Sequence, residues 1–226
     1  MKLAVIVPML NEERAIATTL RALRIGAPVA EIIVADGGSN DDSVAIARTL
    51  ADTVITAPRG RARQMNAGAA AARGDVLAFV HADTLVPTDF AGQIAAALDD
   101  PAIVGGRFDV RLNAASPSYR LLSTLINWRS RVMRSATGDQ AIFVRREVFE
   151  RLGGYPDIKI CEDVALVRRL RRAGRLACLR ARVTTSARRW QSRGLIRTVL
   201  TMWTIKSLFL LGVSPAWLKR HYFDAR

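Results

Sequence analysis

Cysteine is scarce: Cys161 and Cys178 are the only two in 226 residues. They are too few for a disulfide framework and too widely spaced for a zinc or redox motif, so the composition suits a reducing compartment. Long apolar runs are missing as well. The longest uncharged stretch near the C-terminus, residues 207–218, falls short of the roughly 20 residues a spanning helix needs and contains Pro215. The N-terminal apolar run stops at Pro8, too early for a signal peptide, so nothing points to export. Low-complexity segments are absent and half the residues are hydrophobic, which argues against a disordered chain and for one large folded domain. No helix-turn-helix, zinc finger or aromatic-basic RNA signature occurs.

Lysine is also rare, with Lys2, Lys159, Lys206 and Lys219 the only four among 34 basic residues. The formal charge of +14 therefore rests on arginine and points to an anionic partner: nucleic acid, an acidic membrane surface or a diphosphate. An arginine excess also follows from genome base composition, so charge alone does not choose among them.

Apolar runs alternate with helical patterns through the first half, the sign of βα units and a mixed, mainly parallel Rossmann-type sheet flanked by helices. Strands are expected at residues 3–7, 31–35, 53–56 and 75–80. Helices are expected at 13–23, 43–50, 61–72 and from Pro87 through Phe90, Ile94 and Leu98. The second half predicts strands at 104–112 and 141–144 and helices at 118–133 and 162–172, the last ended by Gly174. In such sheets ligands bind beyond the carboxyl ends of strands, and that is where the polar clusters fall.

Several of these clusters can carry chemistry. Asn11 suits a helix N-cap and Glu12 and Glu13 suit a first turn, yet Asn11 and Glu12 can equally hydrogen-bond a base or ribose. Asp36 precedes Gly37-Gly38-Ser39, a turn that lets backbone approach a ligand while the carboxylate points out of the sheet. Asp83 follows a hydrophobic strand by two residues and can reach a hard cation, since Mg²⁺ takes one or two protein carboxylates plus phosphate oxygens. His81 fits a packing role better than a ligand's. Asp163 shares a helix face with Val167 and Leu170, with Glu162 about a quarter-turn away, and a helix N-terminus favours the ionised form a general base needs. Arg59, Arg61 and Arg63, and the run Arg188-Arg189-Trp190, are candidate phosphate contacts.

Taken together, these motifs resemble the family 2 glycosyltransferases, inverting enzymes with a GT-A fold, over about residues 1–190. The matching positions are Pro8, Asn11 and Glu12; Asp36 with Gly37, Gly38 and Ser39; Asn66 and Gly68; Asp83; and Glu162-Asp163. The resemblance implies a nucleoside-diphosphate-sugar donor, UDP- or GDP-linked, contacted by Pro8, Asn11, Glu12, Asp36, Arg63, Asn66, Ala82, Asp83, Arg189 and Trp190. It implies Mn²⁺ or Mg²⁺ on Asp83, with Asp83 as the last acid of the Asp-x-Asp motif, and Asp163 as catalytic base. Gly138, Asp139, Gln140, Gly154, Tyr155 and Glu162 look like its acceptor side. His81 stands where many members carry the first acid of that motif, which bears on the ribose contact. The run through Tyr222-Phe223-Asp224 is similar to a short bacterial subfamily without a defined acceptor, so a lipid-linked acceptor stays one option among others.

Residues 191–226 form a second segment, a C-terminal amphipathic helical tail. Trp203, Trp217 and Tyr222 beside Arg193, Arg197, Lys219 and Arg220 suit an interfacial helix on anionic lipid, and a helix packed on the domain or against a homodimer partner fits equally. The location expected is cytoplasmic, peripheral on the inner face of the plasma membrane in the first case. Other readings are a nucleotidyltransferase, for which the glycine-rich, lysine-bearing loop is missing, a basic nucleic-acid-binding protein without specific recognition, and a noncatalytic glycosyltransferase-like protein.

Overall fold

Residues 1–221 are described by the computed structural model, apart from the side chains of Arg189, Arg193 and His221. Tyr222, Phe223 and Asp224 lie outside the described residues.

Alternating burial on both faces decides the architecture. The chain runs β1 (Leu3–Met9), α1 (Ile16–Gly26), β2 (Glu31–Asp36), α2 (Ser43–Arg48), β3 (Thr53–Thr56), α3 (Arg61–Ala71) and β4 (Val76–Phe79). It continues through β5 (Thr84–Leu85), α4 (Phe90–Leu98), β6 (Ile103–Asn113), α5 (Pro117–Val132), a single 3-10 turn (Gly138–Gln140), β7 (Ile142–Arg145) and α6 (Arg146–Arg151). The remainder is α7 (Glu162–Ala173), β8 (Arg175–Ser186), α8 (Arg188–Arg193), α9 (Leu195–Leu210) and α10 (Pro215–His221). On β1, Val5 and Val7 face α1 and α4 through Leu20, Leu23, Phe90 and Ile94, while Ala4 and Ile6 face α3 and α7 through Met65, Ala69, Leu166 and Leu170. A strand buried on both faces reads as a continuous apolar run, which is why its sequence lacks alternation.

One eight-stranded sheet results, in the order β3-β2-β1-β4-β7-β6-β8-β5. The pairs β1–β2, β1–β4, β2–β3 and β6–β8 are parallel; β4–β7, β6–β7 and β5–β8 are antiparallel. Because β7 runs against β4, the turn at its start, Gly138–Gln140, lies at the same sheet edge as the carboxyl ends of β1, β2 and β4. Residues distant in sequence meet there.

Helix α1 starts three residues later than its apolar pattern predicts, with Ala15 as N-cap. The delay has a cause. Three successive N–H groups that a helix start would leave orphaned donate sideways to the β2–α2 loop: Asn11 to Ser39 Oγ (2.9 Å), Glu12 to Ser43 Oγ (2.7 Å) and Glu13 to Asp41 Oδ2 (3.3 Å). Asn11 is thus no helix cap. It sits at φ 52°, in the left-handed region asparagine tolerates, and its Oδ1 accepts the Asn40 N–H at 2.9 Å.

The Asn66-x-Gly68 element is a packing device. A methyl on Gly68 would collide with Ile6 of β1, so glycine lets α3 press onto the sheet. Asn66 clasps the backbone of Tyr155, donating from Nδ2 to its carbonyl (2.8 Å) and accepting its N–H on Oδ1 (2.9 Å). Gly154 stands at φ +69°, and a Cβ there would meet Asn66 Oδ1 at 2.7 Å. The tail helices pack back onto the domain: α9 and α10 bury Ile205 and Leu218 against Ile160 and Cys161, just before α7.

Asn66→Ala strands both backbone groups of Tyr155, and an expected loss of about 1–3 kcal/mol follows, read from the urea midpoint. An unchanged midpoint would contradict the clasp.

Candidate active site

The strand-end loops are built first, because they hold the carboxylates. Gln64, buried on α3, donates through Nε2 to the carbonyls of Met9 (2.7 Å) and Ala35 (2.9 Å), tying the ends of β1 and β2 together. Pro8 lies inside β1 opposite Ala35. Asp36, the last residue of β2, is 4% exposed, and its carboxylate does not point out of the sheet as its turn-rich context predicts. It folds back on its own turn, accepting the N–H groups of Gly38 (3.0 Å) and Ser39 (3.1 Å) and the Ser39 hydroxyl (2.5 Å). A buried carboxylate needs such donors, and the two glycines allow the tight return.

A guanidinium spans the mouth of the site. Arg188 Nη2 lies 2.6 Å from Glu12 Oε2 and 3.3 Å from Asp83 Oδ2, joining the first loop, the fourth strand end and the start of α8. Hydrogen bonding to Glu12 raises the pKa of Arg188, with both carboxylates adding attraction against partial burial. Glu12 is nearly buried and Asp83 is half-buried. Ala82 is buried between them in sequence, its carbonyl accepting the Thr19 hydroxyl at 2.9 Å.

Asp163 lies at the start of α7. Its Oδ2 accepts the Gly138 N–H at 2.7 Å and its Oδ1 the Val164 N–H at 2.7 Å. A methyl on Gly138 would come within 2.7 Å of His81 Nε2 and 3.7 Å of Asp163 Oδ2, so this glycine is the close approach that brings His81 and Asp163 together. Glu162, a quarter-turn off the inward face by spacing, is the more buried acid. Its carboxyl is pushed up to about 7, first by burial and then by the Asp163 charge, with Arg61 and Lys219 pulling the other way. Helices α3 and α10 bring those two cations and close that side.

Around Asp163 lies a cluster of mixed charge. Burial lowers the pKa of Arg129, opposed by the charges of Asp139 and Asp163. Burial also lowers Lys206 of α9, helped by Arg129 and opposed by Asp163 and Asp139. Arg129 Nε and Asp139 Oδ1 are buried without a hydrogen-bond partner.

Several expected site residues are engaged elsewhere. Arg63 is locked in an exposed fork with Asp157 (2.9 Å) rather than open to phosphate. Asn66 spends its amide on Tyr155. Tyr155 is buried, its ring edge-on to Phe79 (centroids 4.9 Å), and burial raises its pKa well above the ordinary value. Gln140 is fully buried, and its Oε1 accepts from Thr137 and Ser130 in the capping box of the 3-10 turn. Trp190 packs with Leu112, Leu122 and Ala187. Asn66 and Gln140 in this way hold the backbone of Tyr155 and of the 3-10 turn that frame the site. The side chain of Arg189 lies outside the described residues.

The sequence does not single out Gln64, Ser43, Arg129 or Lys206 as site residues, while Ser39 and Arg188 stand within motifs that it does. Lys206 carried a signal, since a lysine inside an apolar stretch needs a carboxylate partner. Gln64 carried none.

The sequence model of the Glycosyl transferase family 2 matches residues 4–153. The probable glycosyltransferase YdaM of Bacillus subtilis (strain 168) is 31% identical over 202 residues, covering 76% of this chain and 47% of that protein. The chain thus spans about half the length of the curated relative it matches. The mannosyltransferase PcManGT from Pyrobaculum calidifontis, solved in complex with GDP-Man and Mn²⁺, is similar with a TM-score of 0.69 and 21% identity, over 100% of this chain and 66% of that one. S. aureus TarS 1-349 in complex with UDP-GlcNAc gives a TM-score of 0.67 and 19% identity, over 82% and 58%. These structures share the fold, a curled, mostly parallel GT-A sheet flanked by helices. On the strength of the family match over most of its length, this chain belongs to the Glycosyl transferase family 2.

Proposed function

We propose that the protein is an inverting glycosyltransferase that moves a sugar from a nucleoside-diphosphate donor, UDP- or GDP-linked, to an acceptor hydroxyl. The observation that carries the reading is Asp163: a carboxylate held by two N–H groups at a helix N-terminus, at the same sheet edge as Glu12, Arg188 and Asp83. The donor's nucleoside lies over the β1 and β2 loops, where Asn11 and Glu12 supply acceptors on a turn that Asp36 braces, and its diphosphate lies toward Arg188 and Asp83. The acceptor enters beside Gly138 and Asp139. Its hydroxyl gives up a proton to Asp163 while the oxygen attacks the anomeric carbon. The carbon–oxygen bond to the diphosphate breaks, and its electron pair leaves with the nucleoside diphosphate. One displacement inverts the anomeric configuration.

Among the described residues no group of three or more His, Cys, Asp or Glu side chains is positioned to hold a metal. The donor set nonetheless fits Mn²⁺ or Mg²⁺, because Asp83 offers a half-exposed carboxylate oxygen and such ions take most of their remaining ligands from phosphate and water. Bound there, the ion would neutralise charge on the leaving diphosphate. Arg188 already contributes to the same neutralisation from the protein side. We place the enzyme in the cytoplasm, at an anionic membrane surface.

Two predictions follow from the assignment of acids. Asp83→Ala is expected to lose metal-dependent donor binding, whereas Asp163→Asn binds donor yet loses transfer by about 10²–10⁴-fold. Calorimetry against UDP- and GDP-sugars with Mn²⁺, beside donor-consumption assays, tests both; full transfer by both variants would refute the mechanism.

Glu162 gives a pH signature. Its pKa rises from 4.5 in the unfolded chain to about 7 in the folded protein. Below the lower value both states are protonated and the burial costs nothing extra. Between the two, the folded protein holds a proton the unfolded chain has released, so stability falls as pH rises through this window. Glu162→Gln should therefore melt higher than the parent at about pH 8, with the advantage gone at about pH 4. Parallel melting curves across that range would exclude a buried, protonating Glu162.

A further inference from the structure

Most of the large apolar side chains exposed among the described residues are concentrated in a few helices. Of the fourteen large hydrophobic side chains exposed among the described residues, all but Met1, Ile25 and Val29 lie on α5, α9, α10 or the turns that end α5 and α9. Scattered exposed apolar residues need no explanation, but a concentration like this one marks an interaction surface.

The pattern within it is regular. On α5, Leu121, Leu125, Trp128 and Val132 recur at helical spacing along one outward stripe. On α9, Ile196, Leu200, Trp203 and Leu210 make a second stripe. The inward faces of the same helices, Leu122 and Ile126 on one and Leu195, Val199 and Met202 on the other, converge on the cluster around Trp190. One buried cluster thus fixes both helices with their outer stripes left uncovered. Three of the chain's four tryptophans lie in this region, Trp128, Trp203 and Trp217, at 64%, 59% and 47% exposure. Exposed tryptophan is costly in water and favoured at the boundary between headgroups and acyl chains.

Charge selects the occupant. No Asp or Glu occurs between residues 110 and 138, or between 164 and 223. Arg120, Arg134, Arg197 and Arg220 are exposed around the stripes. A second copy docked isologously would bring this cationic rim against itself, and nucleic acid offers nothing to apolar stripes. An anionic bilayer answers both features: acyl chains for the stripes and lipid phosphates for the rim. No helix among the described residues is long and apolar enough to cross a membrane, so the helices would lie along the surface.

We propose that α5 and α9, with Trp217 of α10, form a single bilayer-docking face for anionic lipid. Both helices are needed, so the docking element extends well beyond the C-terminal tail. The face lies behind the acceptor side of the site. The inner side of α9 carries Lys206, whose charge acts on Asp163 and Asp139, and α5 carries Arg129 to the same cluster of charges. Resting on the transferase reading, the acceptor is then an amphiphile held in that bilayer.

The test uses the full chain and vesicles of phosphatidylcholine with or without roughly a third phosphatidylglycerol, read by co-sedimentation at low and high salt. Binding is expected only to the anionic vesicles, weakening as salt rises. Leu125→Glu with Trp128→Glu on α5, and separately Leu200→Glu with Trp203→Glu on α9, should each reduce it about tenfold or more while leaving the melting temperature and donor affinity unchanged. Arg120→Glu with Arg197→Glu checks the rim without touching an apolar residue. Equal binding to neutral and anionic vesicles, loss from the α9 pair alone, or a dimer in sedimentation equilibrium that the same substitutions dissociate, with no vesicle binding, would each overturn the proposal. None of these readouts needs sugar transfer, so a failure of docking is distinct from a failure of the assigned chemistry.

Discussion

The constraint on which this structure depends is that carboxylates must be gathered, partly buried, at one edge of a sheet. Uncompensated, each would be protonated or would weaken the fold. Asp36 takes three donors from its own turn, Glu12 and Asp83 share Arg188, and Asp163 takes the N–H groups of Gly138 and Val164. Glu162 has the least compensation and is the acid whose pKa climbs toward neutrality. The lacing of the β1–α1 loop to Ser39, Asp41 and Ser43 belongs to the same solution, since it fixes the backbone from which Glu12 reaches Arg188.

Topology converts that local solution into a site. Strand β7 is antiparallel to β4, and this reversal sets the Gly138 turn beside the strand end that carries His81 and Asp83. Helix α7 then needs only its N-terminus at that edge to bring Asp163 to Gly138. Arg188, 176 positions from Glu12, closes the arrangement from the far end of the sheet. The β1–α1 loop and the end of β4 are therefore held together by one guanidinium, and the end of β4 and the start of α7 by one glycine, both on loops or helix starts that the rigid sheet positions.

Periodicity and strand-end position made the parallel half of the fold legible, and the family resemblance added Glu12, Asp36, Asp83 and Asp163 as a group. The boundaries failed where hydrogen bonds run between loops: nothing in the spacing of residues 11–15 reveals that their N–H groups donate sideways. Asn66, Gln140, Tyr155 and Trp190 expose a different limit. A motif residue can be tied to a site by holding its frame, and sequence alone does not separate that from contact with the ligand. Gly154 and Asn66 are matched to each other, and Gly68 to Ile6, pairings that exist only in three dimensions.

The tail makes the same point about composition. Read as a string, residues 195–213 are an apolar stretch spoiled by Arg197 and Lys206, which counts against a membrane span and settles little else. Wound into α9, the same residues separate by face. Ile205 is buried and Lys206 is half-buried toward the acids, while Leu200 and Trp203 point to solvent and Arg197 lies beside them. Each charge then has a physical role: one compensates carboxylates in a cation-rich protein, and the other borders an apolar stripe. A helix with apolar residues on both faces buries one of them against its own domain. The domain supplies that partner through Trp190 and Ile160, and the outward stripe of Leu200 and Trp203 is what remains for a second.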